Sequence, residues 1–421
     1  MKLAVFTNQF PSRVSTFFAR DLRTLCDAGI DLDVFAIYPI EPELWRYVPE
    51  VLPDSIFPRN RVHYLSFRQS FLILFRQGLN GFLRFLKLAL PVEISALRYG
   101  PLQLAKSLYV LIQGFAWAQI SGKDYDHILA YWGNYSATCG YAFRYFSRNE
   151  IPFSIFLHAG VDLYRDQIYL KEKLLSAANI FVVCDFNRQY LAKKYPRDFS
   201  KLAPKIHLHH LGLDLEEFPF RLEGRRENMA IAVGTLARPK GFEDLIRAAA
   251  LLLERGQEIN VQIIGTGPDE ADMRRLAERL HLGDRVHFTG WLPFEQVREI
   301  MCTASVLVHP SRGLGDAVPT VIKEAMASGT PVIGTRVAGI PELLDGGRCG
   351  LLVPPRDPHH LADAIEEVLT DRTLWLGLAI AGRTFAEQKF NLWENGQRLA
   401  EILRQSSLQV SYPAAVLSEV S

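Results

Sequence analysis

The sequence predicts an α/β protein built of two doubly wound domains, each a parallel sheet with helices on both faces. Three observations predict it. Short apolar runs alternate with amphipathic helical stretches in both halves of the chain, the rhythm of βαβ units. Between Glu216 and Asn228 that rhythm gives way to a polar, charged stretch, EEFPFRLEGRREN, of the kind that joins domains. The 421 residues also exceed what one hydrophobic core ordinarily serves. The expected division is an N-terminal domain over residues 1–215, with a helical insertion at 66–120, then a linker at 216–228. A C-terminal domain over 229–384 follows, then a last helix over 385–404, one option for which is a return to the N-terminal domain. Residues 405–421 are expected to be a frayed, disordered tail. A ligand is expected in a cleft between the two domains.

The first half opens with the apolar run KLAVFT, then STFFARDLRTLCDAG, in which Phe17, Phe18, Leu22, Leu25 and Cys26 share a helical face and Gly29 closes it. DLDVFAI is the next strand. Residues 66–120 interrupt the rhythm with FRQSFLILFRQGLNGFLRFLKLAL, a proline, and a second helical run to Ile120. Their basic residues are Arg68, Arg76, Arg84, Lys87, Arg98 and Lys106, against the single acid Glu93. One reading is two or three helices packed on the sheet with solvated basic faces. The other is a segment lying in a membrane interface and meeting anionic headgroups. Amphipathicity alone does not separate a core face from a lipid face, so packing is the default. The strands resume with HILAYW, FSIFLHA, IFVVC and KIHLHHLGLD. His207 and His209 fall on one strand face, but a metal needs more ligands than this segment supplies, and ordinary hydrogen bonding is the simpler reading.

The second half alternates in the same way: MAIAVGT, GFEDLIRAAALLLERG, INVQIIGTG, a helix from Asp269, RVHFTG, EQVREIMCTA and SVLVHP. After these come GLLVPP, a helix from Asp357 to Leu369 and another through Thr384. Its most informative stretch is HPSRGLGDAVPTVIKEAMASGTPVIGTRVAGIPE, residues 309–342. A strand ending at His309 and Pro310 leads into a glycine loop containing Asp316, then into a helix with Pro319 in its first turn. Gly329 stops that helix before the next strand. A helix that starts in a glycine loop at a strand's end offers free amides and a positive dipole end, an anion site. Asp316 and Glu324 lie eight residues apart around it. Arg238, Lys240 and Gly241 follow the first strand of this half, where positive charge at the carboxyl edge of the sheet suits a diphosphate. A phosphorylated ligand that also offers hydroxyls to carboxylates fits both loops.

Bulk numbers exclude several classes. A hydrophobic share of 48% with 22% charge belongs to a folded globular chain. A net charge of +1 argues against a nucleic-acid partner for the chain as a whole. The five cysteines are odd in number and scattered, with no C-x-x-C pair, so buried thiols in a reducing compartment are expected. The apolar run after Lys2 is too short for a signal peptide, and no apolar run of about 20 residues spans a membrane. A cytoplasmic location is expected, peripheral on the inner face of the cell membrane if 66–120 touches lipid. GTGP at Gly265–Pro268 lacks the third glycine of a dinucleotide fingerprint, Glu270 standing in its place, which argues against NAD binding. Walker A, H-E-x-x-H and G-x-S-x-G motifs do not occur.

These residues identify a resemblance. FPSRVSTFFARDL, FLHAGVDLY, CDFNRQYL, HHLGLDLEEF, VGTLARPKGFEDLI, IIGTGP, VHFTGWLP and the acid, seven residues, Glu element ending at EAMASGTPVI occur in order. Together they resemble glycosyltransferase family 4, retaining enzymes of the GT-B fold that use nucleotide-diphosphate sugars. The form G-D-x-x-P-T at Gly315–Thr320 is similar to enzymes of exopolysaccharide and capsule assembly. The resemblance implies that Lys240 neutralises the leaving diphosphate and that backbone around Val318, Pro319, Thr320 and Val321 cradles phosphate and sugar oxygens. It implies Glu324 on the ribose, Asp316 on the sugar hydroxyls, and His158 reaching the transferred sugar. Gly234, Thr235, Arg238 and Gly267 complete the donor loops, and backbone near Trp291 and Leu292 meets the base. Two departures stand out. Asp316 is one methylene shorter than the usual Glu, and Gly234-Thr235-Leu236 replaces Gly-Arg-Leu, losing an arginine for which Arg238 is the candidate substitute.

The activity implied by the resemblance is that of a retaining hexosyltransferase, moving a sugar from a nucleotide-diphosphate donor to a hydroxyl of a lipid-linked or polysaccharide acceptor. No cofactor is expected beyond the donor as co-substrate, and no metal, since no Asp-x-Asp element is apparent in the donor half. A nucleotide-sugar epimerase and a non-catalytic GT-B binding subunit are the alternatives.

Overall fold

The computed structural model describes residues 1–12, 16–48, 51–122, 124–147 and 151–411. Residues 13–15 of the expected first loop and 412–421 of the expected tail lie outside the described residues. The chain forms two compact units, Met1–Gly212 with Leu392–Ser421, and Leu213–Asn391.

Among the described residues the first unit holds seven strands: β1 (Lys2–Thr7), β2 (Asp31–Ala36), β3 (Val62–Tyr64), β4 (His127–Ala130), β5 (Phe153–Leu157), β6 (Asn179–Val182) and β7 (Ile206–Leu208). All pair in parallel, in the order β3-β2-β1-β4-β5-β6-β7. Helices cover both faces, so the central strands are buried along their whole length, as β4 and β5 are throughout. Phe6, Phe35 and Phe143 stack on one face of the sheet, and Phe18, Tyr131 and Phe156 on the other.

The helix after β1, α1 (Thr16–Asp27), buries Phe18, Leu22 and Leu25. The insertion forms α2 (Phe67–Arg76), α3 (Gly78–Ala96) and α4 (Pro101–Ser121). The sequence suggests a break at the proline, yet Pro91 lies inside α3. Its ring removes only the amide that would have paired with the Lys87 carbonyl. The breaks come instead at Gly78 (φ +64°) and at Gly100 (φ +110°), which precedes Pro101, positions that glycine adopts without strain.

The second unit holds β8 (Met229–Val233), β9 (Asn260–Ile264), β10 (Val286–Gly290), β11 (Val306–His309), β12 (Val332–Thr335) and β13 (Leu351–Val353). They too are all parallel, ordered β10-β9-β8-β11-β12-β13. The stretch 216–228, expected as the linker, falls within this unit. Phe218 is buried edge-on against Phe294, and Arg225 donates to the carbonyls of Met301 (3.1 Å), Ala304 (2.9 Å) and Ser328 (2.9 Å) and to Thr330 Oγ1 (2.6 Å). Its charged composition reads as solvated, but the guanidinium is spent on carbonyls at helix and strand ends.

The last expected helix, 385–404, is two. One runs Arg372–Lys389 and belongs to the second unit; the next runs Leu392–Ser411 and belongs to the first. The first of them stops where the Phe390 carbonyl turns to accept the Leu213 amide at 2.7 Å. The final helix then places Leu399, Ala400 and Leu403 in the apolar layer with Leu3, Phe18 and Leu22. The stretch 405–411, expected to fray, is helical in part because Ser406 accepts from Asn179 Nδ2 at 2.9 Å.

Candidate functional site

In the second sheet β8 and β11 are neighbours, with the strands that come after β8 on one side and those that come after β11 on the other. The loops after these two strands therefore meet at the carboxyl edge, at the reversal of strand order where doubly wound sheets take ligands. The loops are stitched together. Gly241 has φ +72°, and a Cβ there would stand 2.0 Å from the Pro310 carbonyl oxygen. The Arg312 amide donates to the Pro239 carbonyl at 2.7 Å, and Ser311 Oγ to the same oxygen at 3.2 Å. The Arg312 guanidinium pairs with Asp244 (Nε to Oδ2, 2.7 Å) and Glu243 (3.1 Å), anchoring the second loop to the helix Phe242–Glu254.

At the centre is Asp316. Its Oδ2 accepts from His309 Nε2 at 2.6 Å and from Lys240 Nζ at 2.7 Å. Burial pushes this carboxyl up, but the charges and hydrogen bonds of His309 and Lys240 outweigh it and hold the group well below the usual carboxylate range. Asp316 is therefore a permanent anion paired with the lysine expected to meet phosphate. The helix Thr320–Ala327 comes next, with Pro319 at its cap (φ −64°, ψ 121°) and not inside its first turn. The Thr320 and Val321 amides precede the helix's own bonding and leave their donors on the loop side. Glu324, one turn on, is buried.

The other expected residues are more spread out. Gly234 and Thr235 leave the end of β8, Thr235 exposed, and a Cβ on Gly234 would lie 3.7 Å from Lys240 Cε. Gly267, behind β9, packs on the β8 loop so closely that a Cβ would fall 2.3 Å from the Leu236 carbonyl. The Arg238 side chain is 74% exposed and pairs with Asp269 and Asp272, each at 3.7 Å. Val318 is half-buried in the loop before Pro319. Trp291 (exposed) and Leu292 come after β10, the outer strand two places from β8.

His158 belongs to the first unit, just past β5, and is caged by Phe156, Tyr131 and Trp132 at ring separations of 5.4, 5.0 and 4.5 Å. Its Nε2 donates to the Tyr131 carbonyl at 2.9 Å, and its buried Nδ1 has no partner among the described residues. Burial lowers its pKa to about 4, so the ring is neutral at physiological pH with Nδ1 an acceptor. Asp162 fixes the loop, accepting from the amides of His158 (2.7 Å) and Ala159 (2.9 Å). His207 bonds Asn179 Oδ1 at 3.1 Å, the ordinary hydrogen bonding expected of it. Among the described residues no group of three or more His, Cys, Asp or Glu is placed to hold a metal.

Sequence reasoning missed His309 and Arg312. His309 reads as the last residue of an apolar strand, and its only signal is that a strand's carboxyl end is where these sheets bind ligands. Arg312 reads as a solvated loop cation, and nothing in the spacing ties it to Asp244, 68 residues earlier.

Residues 227–371 match the family described as glycosyl transferases group 1. The chain is 33% identical to alpha-D-kanosaminyltransferase of Streptomyces kanamyceticus over 180 residues, 43% of this chain and 46% of that one. It is 25% identical to amylovoran biosynthesis glycosyltransferase AmsK of Erwinia amylovora over 429 positions, 96% of this chain and all of the relative. Apart from such full-length matches, the chain spans about half the length of the first curated relatives it resembles, 46% in the kanosaminyltransferase. Among solved structures, Anabaena HepE in complex with UDP-glucose superposes with a TM-score of 0.69 at 16% identity, over 96% of this chain and 100% of that one. That likeness carries the fold, two Rossmann-like parallel-sheet units of the GT-B class. The second unit thus contains the glycosyl transferases group 1 domain, residues 227–371, and with it Lys240, His309, Asp316 and Glu324.

Proposed function

We propose that the protein is a retaining glycosyltransferase that moves a hexose from a nucleotide-diphosphate sugar to a hydroxyl of a lipid-linked or polysaccharide acceptor, on the cytoplasmic side of the membrane. The observation that carries the reading is the Lys240–Asp316–His309 cluster at the strand-order reversal, beside the first amides of the helix Thr320–Ala327. When the diphosphate enters, Lys240 exchanges Asp316 for phosphate oxygens and neutralises the charge that develops as the sugar departs. The released Asp316, still held by His309, accepts from sugar hydroxyls. The amides of Thr320 and Val321, with backbone at Val318, Pro319 and Gly234, receive phosphate and sugar oxygens. Glu324 takes the ribose, and Trp291 and Leu292 supply backbone for the base. Arg238, in weak exposed pairs that cost little to break, swings to the phosphate in place of the arginine lost at Thr235. His158 serves the transferred sugar. No side chain acts as nucleophile. A front-face path fits this, in which the donor phosphate draws off the acceptor proton, and no divalent ion takes part.

Two relatives support the reading, one named for amylovoran biosynthesis and one structure solved with UDP-glucose. The test is thermal unfolding with UDP-, GDP-, ADP- and TDP-sugars, since a ligand that binds only the native state raises the melting temperature. One donor class should raise it, Glu324→Ala should abolish the rise, and an added acceptor should release free nucleotide diphosphate, with or without EDTA. No shift with any donor would leave the chain a binding subunit, and loss of transfer in EDTA would sink the metal-free path.

A further inference from the structure

We infer that the outer face of α2 and α3 docks on a membrane surface rich in anionic headgroups. The inference concerns the first unit alone and does not rest on the transfer reading. α3 is apolar on two opposite sides. Phe85, Leu88, Ala89 and Val92 are buried against the unit's core. Across the helix, Leu79, Leu83, Leu86, Leu90 and Ile94 fall within a sector of about 80° at roughly 100° per residue. A helix covering a soluble domain carries polar residues on that side, yet Leu79 is 72% exposed and Ile94 63%. The strip continues at both ends, through Phe75 (76% exposed) at the close of α2 and Leu97 (63%) after α3. Fourteen of the twenty-two large apolar side chains exposed among the described residues lie between Phe67 and Ile120, so the exposure is local and contiguous in sequence. Patches of that kind mark interaction surfaces.

Charge selects the occupant. Arg68, Arg76, Arg84, Lys87 and Arg98 are exposed along the same helices, and none has an ion-pair partner among the described residues. The segment's one acid, Glu93, is turned inward: it accepts from Ser107 Oγ at 2.8 Å, and burial raises it to about 6. The face is therefore apolar with unopposed cations at its margins. Apposing a second copy would set these cations against themselves, a like-charge contact that disfavours self-association. A bilayer with anionic headgroups accepts both features, leucines entering the acyl boundary while Arg and Lys extend to phosphates. None of the described helices is long and apolar enough to cross a membrane, so α3 would lie along the surface. A cavity of about 400 Å³ opens at the end of the strip, sharing Ile94 and Arg98 with it and lined further by Tyr99, Glu172, Lys194 and Tyr195. It gives a headgroup space to enter beside the apolar edge.

The test is co-flotation of the full chain with vesicles of phosphatidylcholine alone or mixed with phosphatidylglycerol, without donor. Binding should favour the anionic vesicles and weaken with salt. Arg76→Gln with Arg84→Gln should lower affinity roughly thirtyfold, and Leu79→Glu with Leu83→Glu and Leu90→Glu should abolish it. These side chains are exposed, so the variants should melt as the wild type does; if the leucine variant does not fold, the arginine pair and the salt series decide. Equal binding to both vesicles, or to neither, overturns the inference. So does a concentration-dependent dimer that the leucine substitutions dissolve, which would assign the face to a second copy.

Discussion

Lys240 Nζ donates to Asp316 Oδ2 across 2.7 Å, although 76 residues separate the two in the chain. Strand order brings them together: β8 and β11 are adjacent, so the loop after each ends at the same point on the sheet edge. The pair sets up a competition as well as a bond, because an anionic ligand at the ammonium would share its positive charge with Asp316.

Asp316→Asn should therefore split binding from transfer. Removing the carboxylate's charge releases Lys240, and the nucleoside diphosphate of whichever donor raises the melting temperature should bind about tenfold tighter, in the range of one charged hydrogen bond. Sugar transfer should fall at least as much, since the amide no longer accepts in the same way from sugar hydroxyls. Lys240→Ala should weaken that nucleoside diphosphate by roughly ten- to a hundredfold. Calorimetric titration of the nucleotide with parallel turnover assays reads both. Weaker nucleotide binding in Asp316→Asn with unchanged transfer would remove the competition from the account.

His309 is fully buried and holds the same Asp316 oxygen that the lysine holds, through a 2.6 Å bond. We expect His309→Leu to lower kcat by about tenfold or more while the donor KM changes little, because the residue bonds the Asp316 carboxylate and not Lys240. His309→Gln, which keeps a donor, should recover part of the loss. A change confined to KM would mean that His309 serves binding only.

The sequence was most informative where chemistry depends on local order. Strand, glycine loop, proline and helix succeed one another around Asp316, and periodicity alone places the helix that ends before Gly329. It was less informative where a contact spans the sheet. Nothing local says that Arg312 reaches Asp244 or that Arg225 spends its donors on carbonyls around residues 301–330. Charged side chains read as solvated until their acceptors are known, which is why 216–228 reads as a linker from its composition alone. The leucine strip of α3 was ambiguous for a different reason. Both of its faces are apolar, and only the packing says which one meets the core.

Lys173 gives a pH test of the first unit. It is buried, and its Nζ donates to the carbonyls of Gly133 (2.9 Å) and Asn134 (3.2 Å) and to Thr138 Oγ1 (3.1 Å), with no carboxylate bonded to it among the described residues. Burial lowers its pKa to about 7. The unfolded chain holds this proton up to about pH 10.4, so between about 7 and 10 it binds more protons than the folded one. The stability Lys173 contributes is thus fully present above the unfolded pKa and is lost as pH falls towards 7. Unfolding free energies of wild type and Lys173→Met should diverge in favour of wild type by about 1.4 kcal/mol per pH unit as pH rises through that window. A difference that stays constant with pH would mean the amine remains charged when folded.

The crossing of the C-terminal helix over α1 rests on one residue without a side chain. Gly396 faces Thr24, and a Cβ there would lie 2.2 Å from both Thr24 Cβ and Oγ1. The threonine is itself buried and its Oγ1 donates to the Asp21 carbonyl at 2.9 Å, so it has little room to yield. Gly396→Ala should therefore destabilise by about 1–3 kcal/mol, the ordinary range for overpacking, even though alanine favours helix. Gly377, inside the helix Arg372–Lys389, has nothing within 4 Å of the corresponding position. There the same substitution should leave stability unchanged or raise it by up to about 1 kcal/mol. Denaturant unfolding of the two variants beside the wild type separates the effects, and a Gly396→Ala chain as stable as Gly377→Ala would show that the helices do not need the close approach.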